Sequence, residues 1–183
     1  MRILLALFLF LGAIPLAAQQ HAPITVIIVR HAEKAATPTN DPPLTAAGEA
    51  RARALAIIAR DAGVNAIITT QYLRTRETAK PSAEALHLTP EVVDAGGPRH
   101  VQDVARRIMQ EHQGQVVLVV EHSNLVPALV NALGAPQPPA ICDSQYDGLY
   151  VVLIPAASAA HVIDARYGAP SPVTAGCGTM MKD

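Results

Sequence analysis

The segment ITVIIVRHAEK, residues 24–34, decides the fold, because six apolar or β-branched residues lead directly into an Arg-His pair. An almost unbroken run of this kind predicts a strand that is buried on both faces, as in the middle of a parallel sheet. Residues 35–43 hold three prolines among Thr, Asn and Asp, which predicts a loop. The first strand therefore carries Arg30 and His31 at its carboxyl end.

Helical and strand-forming patterns alternate along the rest of the chain. Helical spacing covers residues 46–62, 72–86, 101–113 and 124–133, and strand-forming runs cover residues 64–70, 91–94, 115–122, 149–154 and 161–165. Pro81 predicts either a kink in the second helix or the start of a separate one. The alternation predicts an α/β fold, namely a three-layer α/β/α sandwich with a mostly parallel central sheet and an antiparallel pair of strands at its end.

The length and the N-terminus indicate one exported domain. The 183 residues suit a single domain with a short appended segment. Arg2, an apolar run and then small residues up to Ala18 predict a secretory signal peptide over residues 1–18, which leaves residues 19–183 as one domain. A retained membrane anchor is the alternative, but a spanning helix needs about 20 apolar residues. We therefore expect a periplasmic or secreted protein without a membrane span after cleavage.

Charge and cysteine content narrow the function further. A formal net charge of −1, few aromatic residues and no Trp argue against binding of nucleic acid and favour a small polar substrate. The two cysteines, Cys142 and Cys177, predict one disulfide in an exported chain. Two separate buried thiols are the alternative.

Basic side chains and imidazoles follow three of the predicted strands. They are Arg30, His31 and Lys34 after the first strand, Arg74 after the second and His122 after the run QVVLVVEH. Because ligands of open α/β sheets bind outside the carboxyl ends of the strands, we expect these groups to share one site. Cations that repel one another in one place indicate an anionic ligand, and phosphate suits the fork of arginine and the nucleophilic nitrogen of a neutral histidine.

These motifs, in this order, resemble the histidine phosphatase superfamily, also called the phosphoglycerate mutase-like family. The matching residues are Arg30-His31-Ala32-Glu33, then Leu44-Thr45 with Gly48, then Thr70, Arg74, Thr78 and Ala79, and finally His122. The resemblance implies a phosphoglycerate mutase-like fold without a large cap domain and needs no cofactor or metal. It implies a histidine acid phosphatase-type hydrolase of phosphomonoesters, in which His31 is phosphorylated while Arg30, Arg74 and His122 hold the phosphoryl group. Lys34 either binds substrate as well or pairs with Glu33.

Two features of the motifs leave the chemistry open. Glu121 stands where members of the family commonly have glycine, so it either points away, pairs with an arginine or acts as the general acid. The other candidates for the acid are Glu91, Asp94 and Asp103, of which Asp94 is preferred because it precedes a Gly-Gly loop. The remaining basic residues and histidines are interpreted as solvated surface: Arg51, Arg53, Arg106, Arg107, His87, His100, His112 and His161.

Three alternatives compete with a phosphatase. A non-catalytic phosphate-binding module is favoured by Glu121 and by the lack of an obvious acid. A phosphomutase is less favoured, because exported enzymes rarely meet the sugar phosphates that a mutase interconverts. A metal site at His31 and His122 lacks the close spacing of metal motifs. The expected substrate is a small phosphorylated molecule or a phosphorylated component of the cell envelope.

Overall fold

The computed structural model describes residues 22–172, in which strands and helices alternate as predicted. The strands are β1 (Ile24–Arg30), β2 (Ala66–Thr69), β3 (Glu91–Val92), β4 (Val116–Glu121), β5 (Gly148–Ile154) and β6 (His161–Arg166). The helices are α1 (Ala46–Asp61), α2 (Leu73–Leu86), α3 (His100–Glu111) and α4 (Leu125–Ala132). Pro81 lies inside α2, which continues past it as one helix, so the alternative of two separate segments is wrong.

The six strands form one sheet in the order β3-β2-β4-β1-β5-β6. The first four in this order are parallel, whereas β5 and β6 run antiparallel to their neighbours. Apolar side chains of α1 and α2 pack on one face of the sheet, and those of α3 and α4 pack on the other. The prediction of a three-layer sandwich with a mostly parallel sheet is therefore confirmed.

The loop that follows β1 is fixed by the start of α1. The Thr45 hydroxyl accepts a hydrogen bond from Gly48 N at 3.2 Å, and Thr45 N donates to Glu33 O at 2.9 Å. A Cβ atom at position 48 would collide with the same Glu33 carbonyl, so only glycine lets the helix approach this closely. The first turn of α1 thus holds the backbone directly after His31.

Two predictions fall outside the part of the chain that the structure describes. The signal peptide, residues 1–18, precedes that part, and Cys177, one half of the predicted disulfide with Cys142, follows it. Both remain predictions. Within residues 22–172, every helix is too short or too polar to cross a bilayer.

Candidate active site

The carboxyl edge of the parallel strands brings together four of the predicted site residues. Arg30 ends β1 and His31 follows it, His122 follows β4, and Arg74 lies in the first turn of α2. The rings of His31 and His122 meet edge to face, with their centroids 5.5 Å apart. The order β2-β4-β1 in the sheet explains this convergence, because residues far apart in sequence end adjacent strands.

His31 is held as a neutral imidazole with one free nitrogen. Its Nδ1 lies 2.8 Å from Ala32 O, a contact in which the ring must donate, so the proton is on Nδ1 and the lone pair is on Nε2. Burial lowers the pKa of His31 to about 2, and the neighbouring Arg30 acts in the same direction. The ring is therefore a neutral imidazole, and not an imidazolium, at neutral pH, as a nucleophile requires.

His122 is neutral for the same reason. Burial lowers its pKa to about 3, and the charge of Arg74 adds to this effect. Arg74 Nη2 lies 3.5 Å from Nδ1, which makes Nδ1 the acceptor, and Nε2 donates to the Thr70 hydroxyl at 3.1 Å. The Thr75 hydroxyl, 2.9 Å from that of Thr70, extends the chain of hydrogen bonds into α2.

Arg30 is anchored by a loop that the sequence did not connect with the site. Its Nη1 donates to the carbonyl oxygens of Cys142, Asp143 and Gln145 at 2.9, 2.9 and 3.0 Å. The guanidinium carbon also lies 4.2 Å from the centre of the Tyr146 ring. The loop before β5 therefore fixes the position of one phosphate-binding candidate.

Arg74 is arranged in a similar way. Its guanidinium carbon lies 4.2 Å from the centre of the Tyr72 ring, and Tyr72 in turn meets His122 edge to face at 5.3 Å. Asp41 Oδ1 lies 3.7 Å from Arg74 Nη1 and accepts a hydrogen bond from Leu73 N at 2.9 Å. Each arginine is thus stacked on a tyrosine, which limits its motion and leaves its charge available to an anion.

Lys34 and Glu33 do not join the four residues. Lys34 is exposed and, within the described chain, makes no hydrogen bond or ion pair with them. Glu33 pairs with Arg51, whose Nε and Nη2 both donate to its carboxylate at 2.8–3.1 Å. Arg51 is only 3% exposed and also donates to Tyr167 O, so the interpretation of Arg51 as a solvated helix charge is wrong.

The candidate acids occupy different places. Glu91 lies at the opposite end of its strand and pairs with Arg107 and His112, each at 3.1 Å. Asp94 is exposed and accepts hydrogen bonds from Gln71 Nε2 and Gly96 N. Glu91 is therefore directed away from the four residues, whereas Asp94 lies in the loop after β3.

Glu121 is buried and pairs with a histidine that was assigned to the surface. Its Oε1 lies 2.7 Å from His100 Nε2, and the two side chains are 1% and 2% exposed. The prediction of a surface position is therefore wrong for His100, and also for His112, which is buried. His87 and His161 are exposed as predicted.

The buried neutral histidines predict a loss of stability in acid. Unfolded, His31 and His122 titrate near 6.5, but folded they resist protonation until about pH 2 and 3. Between pH 6.5 and 4.5 the unfolded chain therefore binds more protons, and the free energy of unfolding falls as the pH falls, by up to about 1.4 kcal/mol per pH unit for each histidine. Urea unfolding at several pH values measures this slope.

A matched pair of variants identifies the source of that slope. His122→Asn is expected to remove up to half of it, whereas the exposed His161→Asn is expected to leave it unchanged. An unaltered slope in both variants would mean that other groups cause the acid sensitivity.

Comparison with known protein families gives a match over part of the chain. The model of the histidine phosphatase superfamily (branch 1) matches residues 26–95, which include the Arg-His pair and the start of α2. Among curated proteins, no sequence gives a significant match.

Several solved structures share the fold at low sequence identity. The protein histidine phosphatase SixA complexed with tungstate is 22% identical with a TM-score of 0.60, over 78% of this chain and 95% of that one. A mycobacterial glucosyl-3-phosphoglycerate phosphatase is 16% identical with a TM-score of 0.57, over 72% and 90% of the two chains. Mycobacterial hydrolase 1 is 15% identical with a TM-score of 0.61, over 81% and 99%.

Proposed function

We propose that this chain is a member of the histidine phosphatase superfamily and a phosphatase that hydrolyses phosphomonoesters through a phosphohistidine on His31. The observation that carries the proposal is the neutral His31 ring, whose Nδ1–H is committed to Ala32 O at 2.8 Å. Its Nε2 is thereby the nucleophile, next to His122 and within the influence of the charges of Arg30 and Arg74. Because the sequence identity to the solved structures is low, the likeness to them concerns the fold and does not extend to the substrate.

In the first step, His31 Nε2 attacks phosphorus, the N–P bond forms, and the bond from phosphorus to the ester oxygen breaks. The alcohol leaves as its anion and takes a proton from solvent. Arg30 and Arg74 neutralise the oxygens that stay on phosphorus, beside the His122 ring. In the second step, water attacks phosphorus and the N–P bond breaks. Phosphate leaves, the proton of the water passes to solvent, and His31 returns to its neutral form.

The protonation of His122 has a consequence for the alcohol that leaves. With a pKa of about 3, His122 carries no proton that it can give up as an imidazolium at neutral pH. We infer that substrates with a stable leaving group react fastest. Candidates are aryl phosphates and, by analogy with the name of the SixA phosphatase, phosphorylated histidine of a protein.

The experiment that tests the proposal is trapping of the phosphoenzyme. The protein is mixed with ³²P-labelled phenyl phosphate and denatured at alkaline pH, where phosphohistidine survives. We expect label on the protein that is lost on brief treatment with acid, together with steady release of phosphate. Binding of phosphate without release would favour the non-catalytic module, and label that resists acid would exclude a phosphohistidine.

A further inference from the structure

Glu121 and His100 form a buried pair directly behind the candidate active site. Glu121 precedes His122, lies beside Arg30 in the register of β1 and β4, and accepts a hydrogen bond from His31 N on its carbonyl oxygen at 2.8 Å. Its backbone therefore adjoins three of the four residues that we assign to phosphate, and its side chain lies on the same face of the sheet as that of Arg30. A carboxylate in this place, left to itself, would oppose the binding of an anion.

The hydrogen bonds of His100 show how this charge is compensated. Its Nε2 faces Glu121 Oε1 at 2.7 Å, and its Nδ1 faces Asp94 O at 3.0 Å. Both partners are acceptors, so both ring nitrogens need protons unless the Glu121 carboxyl carries one of them. In either arrangement one shared proton makes the pair neutral overall.

The pair also connects the loop between β3 and α3 to the site. His100 is the first residue of α3 and holds Asp94 O, while the Gln71 side chain binds Asp94 Oδ1 at 3.2 Å and Ala95 N at 2.9 Å. Gln71 directly follows Thr70, the hydrogen-bond partner of His122. The loop is thus attached through His100 and Gln71 to residues next to the candidate active site.

We propose that Glu121 and His100 are a positioning pair, in which His100 neutralises the carboxylate behind His122 and keeps Arg30 free to bind the phosphate group. This inference rests on the proposed phosphatase function. Arg30 Nε and Glu121 Oε2 are both buried and lack a hydrogen bond among the described residues, although their strands are adjacent. Without His100, Glu121 would attract the Arg30 guanidinium that the substrate needs.

The test is a charge rescue at constant size. His100→Gln leaves the carboxylate uncompensated, and we expect KM for phenyl phosphate and the dissociation constant of sulfate to rise about 10-fold, equivalent to about 1.4 kcal/mol. Glu121→Gln removes the charge, and His100→Gln/Glu121→Gln is expected to bind sulfate within about threefold of Glu121→Gln alone. Sulfate binding is followed by NMR signals of the histidine rings, and thermal unfolding shows that each variant is folded.

The pH profile separates this role from a merely structural one. The carboxylate of Glu121 raises the pKa of His100 against the opposing effect of burial. The ionisable groups that face the ring are Glu121, Asp94 and His122, while α4, packed against α3, has none in its sequence LVPALVNA. Sulfate affinity is expected to fall as the pH rises through this pKa, and in Glu121→Gln the fall is expected at lower pH.

Each outcome decides between the two proposals. If the double variant binds sulfate as weakly as His100→Gln, and the pH profile of Glu121→Gln is unchanged, the pair is structural and the inference is wrong. The phosphatase function would survive that result, provided that the wild-type protein is labelled as expected. A wild-type protein that neither binds sulfate nor takes up label would overturn both.

Discussion

His31→Ala is expected to lower kcat for phenyl phosphate by at least about 10⁴-fold and to abolish labelling of the protein, because no other group replaces the attacking nitrogen. Nε2 of His31 is the nitrogen left free by the hydrogen bond from Nδ1 to Ala32 O. Sulfate is expected to bind nearly as well as before, since Arg30, Arg74 and His122 remain. The measurements are steady-state kinetics, ³²P incorporation and NMR titration on the same sample.

Two variants make this result specific. His161→Asn removes an exposed histidine and is expected to leave both rate and label unchanged. His122→Asn is expected to slow the reaction but to keep an acid-labile label, because His122 has its Nδ1 facing Arg74 and its Nε2 on Thr70. Label that persists in His31→Ala and disappears in His122→Asn would transfer the nucleophile to His122.

Sequence patterns predict the order of strands and helices well, because the strands are short and apolar and are separated by helices. Residues 24–29 and 116–120 are buried almost completely, as their β-branched composition indicates. The same pattern places Arg30, His31 and His122 at strand ends, from which their meeting at one edge follows. The local sequence pattern is therefore enough to place a site residue whose position is set by the end of a strand.

The errors concern charged residues whose partners are distant in sequence. Arg51 is buried because Glu33 and the carbonyl of Tyr167 satisfy its guanidinium, and Tyr167 is 116 positions away. His100 is buried because Glu121, 21 positions later, shares a proton with it. Helical spacing assigns such residues to a solvated face, since nothing in the local pattern reveals an ionic partner.

The tyrosines beside the arginines illustrate the same limit. Tyr72 lies between Thr70 and Arg74 of the motif, and its position two residues before Arg74 is the only local hint of a stacking partner. Tyr146 lies in the loop before β5, where no motif precedes it, and it reaches Arg30 only because β5 is the neighbour of β1 in the sheet. The strand order, rather than the local sequence pattern, therefore determines which tyrosine stacks on Arg30.

The second large effect is expected for Arg30→Lys, which keeps the charge but removes the planar fork. Nη1 of Arg30 donates to three carbonyl oxygens of the loop over residues 142–145. One nitrogen of the guanidinium therefore anchors the loop, while the other nitrogens stay available to phosphate. A lysine ammonium cannot serve both partners from one point, and we expect kcat/KM to fall about 100-fold. The control is Arg53→Lys, at an exposed position that forms an ion pair with Glu49, for which no change is expected. An Arg30→Lys protein as active as the wild type would show that phosphate needs only the charge at this position, and that the geometry imposed by the loop has no part in catalysis.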